Sequence, residues 1–165
     1  MTPGWRTSAA AVVAVLFATA SIGIVLLFGG GTDPGTEPTV VVTDSNGEEL
    51  VAAPVGGDEE VVLEYTHSVE RTLVRDVYVH EDGRLVMVRM EFSSFGAGLP
   101  SEADVVVRDG RYVYHPPRTE YETLRVMTGS IADHDLIVGD DRYDIAALSN
   151  GGAVELTIET RSTHP

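Results

Sequence analysis

The sequence predicts an all-β domain, a small antiparallel β-sandwich or barrel of about eight to ten strands, preceded by one transmembrane helix. Three observations lead to this fold class. Turn-forming dipeptides recur at short intervals after residue 40, apolar and polar residues alternate between them, and an uncharged apolar run covers residues 9–28. No segment after that run keeps a helical period for three turns.

The turn signals divide the chain into short strands. Asn46-Gly47, Asp82-Gly83 and Asp109-Gly110 each lie between runs rich in Val, Leu, Tyr and Met, and two further reversals are predicted at Asp140-Asp141 and Asn150-Gly151-Gly152. Asn-Gly and Asp-Gly adopt the positive backbone angles that two-residue hairpin turns need.

The strands between these turns show the period of two that is typical of half-buried β-structure. Val154, Leu156 and Ile158 are predicted to share one face of their strand. A second strand alternates in the same way, with Val61, Leu63 and Tyr65 on one face. Both patterns favour antiparallel sheets that have a buried and a solvated side.

One hairpin can be read residue by residue from its turn at Asp82-Gly83. A two-residue turn pairs Glu81 with Arg84 and fixes all the later pairs. Asp76 then lies opposite Arg89, with Glu91 on the same face, as an ion pair or a candidate polar site. The opposite face is mostly apolar and is predicted to be the core side, with the pairs Val79–Val86, Val77–Val88, Arg75–Met90 and Leu73–Phe92.

The apolar run predicts a membrane anchor that spans the bilayer once. As a helix, residues 9–28 cover about 30 Å, the thickness of the hydrocarbon core. Arg6 is the only charged residue before the run, which favours a cytoplasmic N-terminus and an external domain. Ala18-Thr19-Ala20 leaves a cleaved signal peptide as the alternative. We expect a tail at 1–8, an anchor at 9–28, a linker at 29–38 and an external domain at 39–163.

The charge of the chain is strongly acidic. It has 11 basic residues, all arginine, against 26 acidic ones, and it has no cysteine. This balance argues against nucleic acid and anionic lipid headgroups as partners, because both would be repelled. It predicts a protein that works in high salt, where repulsion between surface charges is screened. Without disulfides, the domain depends on its core for stability.

Two short segments are the candidates for ligand binding. The first contains His67, Ser68 and Glu70, followed by Asp76. A hydrolytic triad is disfavoured, because neighbours in an extended segment point to opposite faces. Metal binding by His67, Glu70 and Asp76 matches no established ligand spacing. The remaining interpretation is structural, with Ser68 and Glu70 bonding backbone amides where a strand turns.

The second segment is Phe95-Gly96-Ala97-Gly98-Leu99-Pro100. Its glycines suit a tight turn before Pro100. Alternatively, its consecutive amides form a nest for a carboxylate, with Phe95 and Leu99 as walls. Arg71 or Arg75 could then add a charge-assisted hydrogen bond.

The two segments together resemble the bacterial and archaeal domain-of-unknown-function family 1850, with this chain as a haloarchaeal-like member. The resemblance covers roughly residues 40–158 and is most specific from His67 to Pro100. It implies a small exported or membrane-anchored protein encoded beside the membrane and solute-binding subunits of TAXI-type TRAP transporters, which import organic acids. Members often carry an acid where Arg89 stands, so the resemblance does not support a shared two-carboxylate metal site here.

We therefore expect a membrane-anchored extracytoplasmic accessory protein without enzymatic activity or a cofactor. Its expected partners are membrane lipid, through residues 9–28, and the subunits of a TRAP-type transporter. The alternatives are an independent module that binds a small anion or a metal ion, and a hydrolase that uses Ser68.

Overall fold

A computed structural model describes residues 35–94 and 105–162, which form twelve β-strands and one single-turn helix. The strands are β1 (Thr36–Asp44), β2 (Glu49–Pro54), β3 (Glu60–Thr66), β4 (Leu73–Glu81), β5 (Arg84–Phe92), β6 (Val105–Arg108), β7 (Arg111–Tyr114), β8 (Thr119–Tyr121), β9 (Leu124–Met127), β10 (Asp135–Val138), β11 (Asp141–Asp144) and β12 (Ala153–Ser162). Helix α1 (Ile145–Leu148) joins β11 to β12.

The all-β class is confirmed, but the strands are more numerous than predicted. Residues 105–144 alone contribute six strands, each of only three or four residues. Strand β1 also begins at Thr36, within the predicted linker. In the two described ranges, no helix has the length and apolar character needed to cross a membrane. The predicted anchor at 9–28 lies outside those ranges.

The strands form two antiparallel sheets. The smaller has four strands in the order β2-β1-β12-β9. The larger has eight, in the order β11-β10-β3-β4-β5-β7-β6, with β8 also paired to β5. Strands β4 and β5 therefore lie near the middle of the larger sheet, and β6 lies at its edge.

One hydrophobic cluster joins the two sheets. Val40 and Leu156 from the smaller sheet pack with Leu63, Tyr78 and Leu136 from the larger. All five side chains are at most 3% exposed. Burial of a side chain of this size contributes about 1.5–3 kcal/mol, so this shared core is the main source of stability. The alternation predicted for β12 is confirmed, because Val154 and Leu156 are buried there.

The two-residue hairpins are confirmed at the two Asp-Gly dipeptides of the larger sheet. Asp82 and Gly83 have φ angles of 48° and 75°, and Asp109 and Gly110 have φ angles of 48° and 77°. Positive φ at both central residues is the geometry that matches the twist of the flanking strands.

The predicted register of the β4–β5 hairpin holds only near its turn. Tyr78 pairs with Met87 as expected, but Val77 pairs with Arg89, which leaves Val88 as an extra residue. This β-bulge moves each later pair by one position. Asp76 therefore lies opposite Met90, and the predicted Asp76–Arg89 ion pair is wrong.

The predicted core side of this hairpin is confirmed only in part: its members Val77, Val86 and Phe92 are buried, but the other face packs in the shared core. Tyr78 and Leu85 belong to the shared core, so the face that carries them points into the protein. The opposite face of the sheet carries Arg75, Arg89 and Glu91 beyond the bulge. Because the bulge changes the face that Arg89 occupies, three charged residues come together on the outer side of the larger sheet.

Candidate anion-binding site

The first predicted segment forms the connection between β3 and β4, and its contacts are largely internal. The backbone N–H of Glu70 donates to His67 Nδ1 at 3.2 Å. His67 exchanges backbone hydrogen bonds with Arg71 and Thr72, at 2.9 and 2.8 Å. Ser68 and Glu70 are part of this turn. The structure therefore brings His67 and Glu70 together in a compact reversal of the chain.

Asp76 lies on β4, on the interior face of the larger sheet. Tyr65 Oη donates to Asp76 Oδ2 at 3.4 Å. The other oxygen, Oδ1, is buried and has no hydrogen-bond partner among the described residues. Burial raises the pKa of Asp76 to about 6, although the bond from Tyr65 opposes the shift. This carboxyl is thus a poorly satisfied group inside the protein.

The second predicted segment, Phe95, Gly96, Ala97 and Gly98, lies outside the described residues, and its assignment as an anion nest stays a prediction. Among the described residues, no group of three His, Asp or Glu side chains is arranged to hold a metal ion.

The outer face of the larger sheet carries a pocket that the sequence did not reveal. Its volume is about 520 Å³, within the range of small-molecule sites. Four of the chain's 11 arginines line it, in a protein with a net charge of −15. The lining residues are Arg75, Arg89, Glu91, Arg108, Asp109, Arg111, Val113 and His115.

Three of these arginines converge on a single carboxylate. Arg89 Nε donates to Glu91 Oε1 at 2.8 Å. Arg75 Nη1 and Arg111 Nη1 lie 3.6 and 3.7 Å from Glu91 Oε2. The Glu91 side chain is only 15% exposed, so screening by water is reduced. Three arginines therefore share the carboxylate of Glu91, which lines the pocket with them.

The side of this pocket nearest β3 belongs to a longer network of ion pairs. Arg89 binds the carboxylate of Glu60 with both Nη atoms. This contact lowers the pKa of Glu60 and raises that of Arg89. Arg75 Nε lies 3.3 Å from Glu64, and Glu64 in turn contacts Arg142 at 2.9 Å. The network holds the inner two arginines in place.

One donor in this network remains unused. Arg75 Nε is close to Glu64 Oε2, but it is not aligned for a hydrogen bond. The atom is buried and has no hydrogen-bond acceptor among the described residues. Arg75 therefore contacts Glu64 and Glu91 as ion pairs without a hydrogen bond, and because it also lines the pocket, its guanidinium group can still form a charge-assisted hydrogen bond with an anion there.

The outer side of the pocket is built by the β6–β7 hairpin. Arg108 and Arg111 are directly paired across the Asp109-Gly110 turn. Like charges in directly opposite positions destabilise a sheet. Within the described ranges, the Arg108 side chain has no ion pair or hydrogen bond that would balance its charge. An anion between these two arginines would remove the repulsion.

The floor between the two sides is apolar. Val113 lies directly opposite Glu91 on β5 and opposite Val106 on β6. Val113 is 5% exposed and lines the pocket. The pocket can thus accept an anion that carries a short aliphatic part.

Sequence reasoning identified the turn at Asp109-Gly110 but did not extend the pairing from it. That extension places Arg108 opposite Arg111 and would have revealed the outer half of the pocket. The inner half depends on the bulge at Val88, for which the sequence has no glycine or proline as a marker.

Comparison with known families gives one match, to the family described as "Domain of unknown function (DUF1850)", over residues 61–145. The matched range begins at the second residue of β3 and continues past β11, and it contains all the residues that line the pocket. No curated protein and no solved structure matched the chain.

Proposed function

The chain belongs to the DUF1850 family, and from this premise we propose that it is a membrane-anchored extracytoplasmic protein that binds small carboxylate anions beside an organic-acid transporter of the TRAP type. The observation that carries the proposal is the arginine-lined pocket. Guanidinium groups match the planar geometry of a carboxylate and are the preferred side chains for recognising it.

The electrostatics of the pocket support selection of anions. The protein as a whole repels them, since its net charge is −15. Inside the pocket, Arg108 and Arg111 are adjacent, and the carboxylate of Glu91 already contacts three arginines. A small anion that reaches this position can form two or more charge-assisted hydrogen bonds, and water screens its attraction to the arginines only weakly there.

Calorimetric titration of the full-length protein in detergent, with butyrate at a fixed salt concentration, tests binding. Arg111→Gln removes a pocket arginine, and we expect about a tenfold or greater loss of affinity, the effect of losing one charged hydrogen bond. Arg125→Gln is the matched control, because Arg125 pairs with Glu155 on the smaller sheet. Equal affinities for the two variants would contradict the proposal.

Association with a transporter is tested separately, by purifying the protein from its own membranes under mild detergent. We expect the membrane and solute-binding subunits of an organic-acid transporter to copurify. The association should be lost when residues 1–28 are replaced by an unrelated anchor. If those subunits are absent from the wild-type preparation, the transporter part of the proposal is wrong. Carboxylate binding is tested independently, by the titration.

A further inference from the structure

We infer that the ligand of the arginine pocket is an aliphatic dicarboxylate that spans the pocket, with one carboxylate between Arg108 and Arg111 and the other at Arg75. This inference rests on the proposed carboxylate binding and specifies its substrate class. Its basis is the distribution, on the outer face of the larger sheet, of the pocket arginines whose side chains make no hydrogen bond to another described residue.

Three of the arginines that line the pocket make no side-chain hydrogen bond among the described residues, and they form two groups. Arg108 and Arg111 make the outer group, on β6 and β7. Arg75, on β4, makes the inner group, and its contacts with Glu64 and Glu91, at 3.3 and 3.6 Å, are ion pairs without a hydrogen bond. Strands β4 and β7 are separated by β5, so their backbones are about 10 Å apart.

The two groups approach each other above the sheet. Arg75 Nη1 and Arg111 Nη1 both lie within 3.7 Å of the same oxygen of Glu91. The distance between these two Nη1 atoms is thus shorter than the distance between their strands. It is comparable to the length of a short carbon chain. A monocarboxylate can occupy only one of the two groups.

The surface between the groups has the chemistry of an aliphatic linker. Val113 forms the floor there, with Val106 beside it on the edge strand. Glu91 lies between the groups, and its charge is balanced by its three arginines. No unbonded atom of the floor requires a hydroxyl or amino group on the ligand, whereas the ligand's methylene groups can pack on Val113.

Calorimetric titration of the full-length protein with matched acids tests the inference. Butyrate and valerate are the monocarboxylates, and succinate, glutarate and adipate are the dicarboxylates. We expect one of the dicarboxylates to bind about tenfold or more tightly than the monocarboxylate of similar length, with an optimum within the series.

Two variants of Arg75 locate the second carboxylate. Arg75→Gln should lower dicarboxylate affinity more than monocarboxylate affinity, so that the ratio of the two falls towards one. Arg75→Lys keeps the charge but removes the planar guanidinium group, and we expect a partial loss of the preference. Both variants are first compared with the wild type in thermal unfolding, since Arg75 also contacts Glu64 and Glu91.

The outcomes separate the inference from the proposed function. If monocarboxylates and dicarboxylates bind with equal affinity, the spanning mode is wrong, while carboxylate binding stands. If no carboxylate binds, both are wrong. The chain-length series needs no variant, so it decides the question even if the Arg75 variants do not fold.

Discussion

Arg108 and Arg111 lie directly opposite each other on the β6–β7 hairpin, two like charges separated only by the width of a strand pair. In an otherwise acidic protein, such a pair is costly unless an anion lies between its members. With Arg75 and Arg89 it brings four arginines to the lining of one pocket, beside the carboxylates of Glu91 and Asp109.

Replacing Glu91 by glutamine should strengthen anion binding. The carboxylate of Glu91 lines the pocket and contacts three of its arginines, at 2.8, 3.6 and 3.7 Å. Its removal favours a bound anion by at least about 1 kcal/mol, the repulsion between two unit charges about 4 Å apart in bulk water. Calorimetric titration should show about a fivefold gain in affinity. Glu155→Gln, on the smaller sheet, serves as the control, and weaker binding by Glu91→Gln would contradict the electrostatic explanation.

Replacing Asp76 by asparagine should stabilise the protein at neutral pH. The folded pKa of Asp76 is about 6, above its ordinary value of 3.8. The folded state therefore holds its proton more tightly, and stability is lost as the pH rises from about 4 to 6. At pH 7 the loss is about 2–3 kcal/mol, which Asp76→Asn avoids.

Chemical denaturation between pH 4 and pH 8 measures this difference. The free energy of unfolding of Asp76→Asn should exceed that of the wild type at pH 7 and converge with it near pH 4. Asp140→Asn removes an exposed carboxylate and is the control. A difference between Asp76→Asn and wild type that stays constant over this pH range would show that the pKa of Asp76 is not raised.

Substituting Gly110 should damage both the hairpin and the pocket. Gly110 has a φ angle of 77°, and a side chain in this left-handed conformation costs about 1–2 kcal/mol. Gly110→Ala should therefore lower the free energy of unfolding by this amount and weaken butyrate binding, since the turn sets the Arg108–Arg111 pair. Gly56→Ala, at an exposed position outside the left-handed region, is the control. Unchanged stability in Gly110→Ala would indicate that the turn has another geometry.

Salt should stabilise the protein. The 26 acidic residues outnumber the 11 arginines, and their repulsion falls as the Debye length shortens from about 10 Å at 0.1 M to 3 Å at 1 M. We expect the melting temperature to rise continuously between 0.1 and 3 M potassium chloride. Full stability in millimolar salt at neutral pH would contradict the expectation of a high-salt protein.

The sequence predicted the parts of the fold that depend on local chemistry. Asp82-Gly83 and Asp109-Gly110 form the expected turns because few other residues tolerate positive φ at both positions. The alternation around Leu156 gave the correct buried face because a strand has only two faces. Both the turns and the buried face are determined by fewer than about ten neighbouring residues in the sequence.

The site depends on pairing between distant strands, and a single error in register was enough to conceal it. Without the bulge at Val88, Arg89 would lie opposite Asp76 on one face and Arg75 would lie on the other. The bulge moves Arg89 to the face of Arg75 and Glu91, and it leaves Asp76 on the interior side. Bulges arise from packing between sheets and have no strong local sequence pattern.

The most direct test of carboxylate binding is to observe the arginine Nε–H groups by nuclear magnetic resonance while glutarate is added to the full-length protein in detergent. We predict that the Nε–H resonances of Arg75, Arg108 and Arg111 shift and saturate together, while those of Arg125 and Arg161 on the smaller sheet do not move. Absence of any shift, or equal shifts of all arginines, would contradict a carboxylate site on the outer face of the larger sheet.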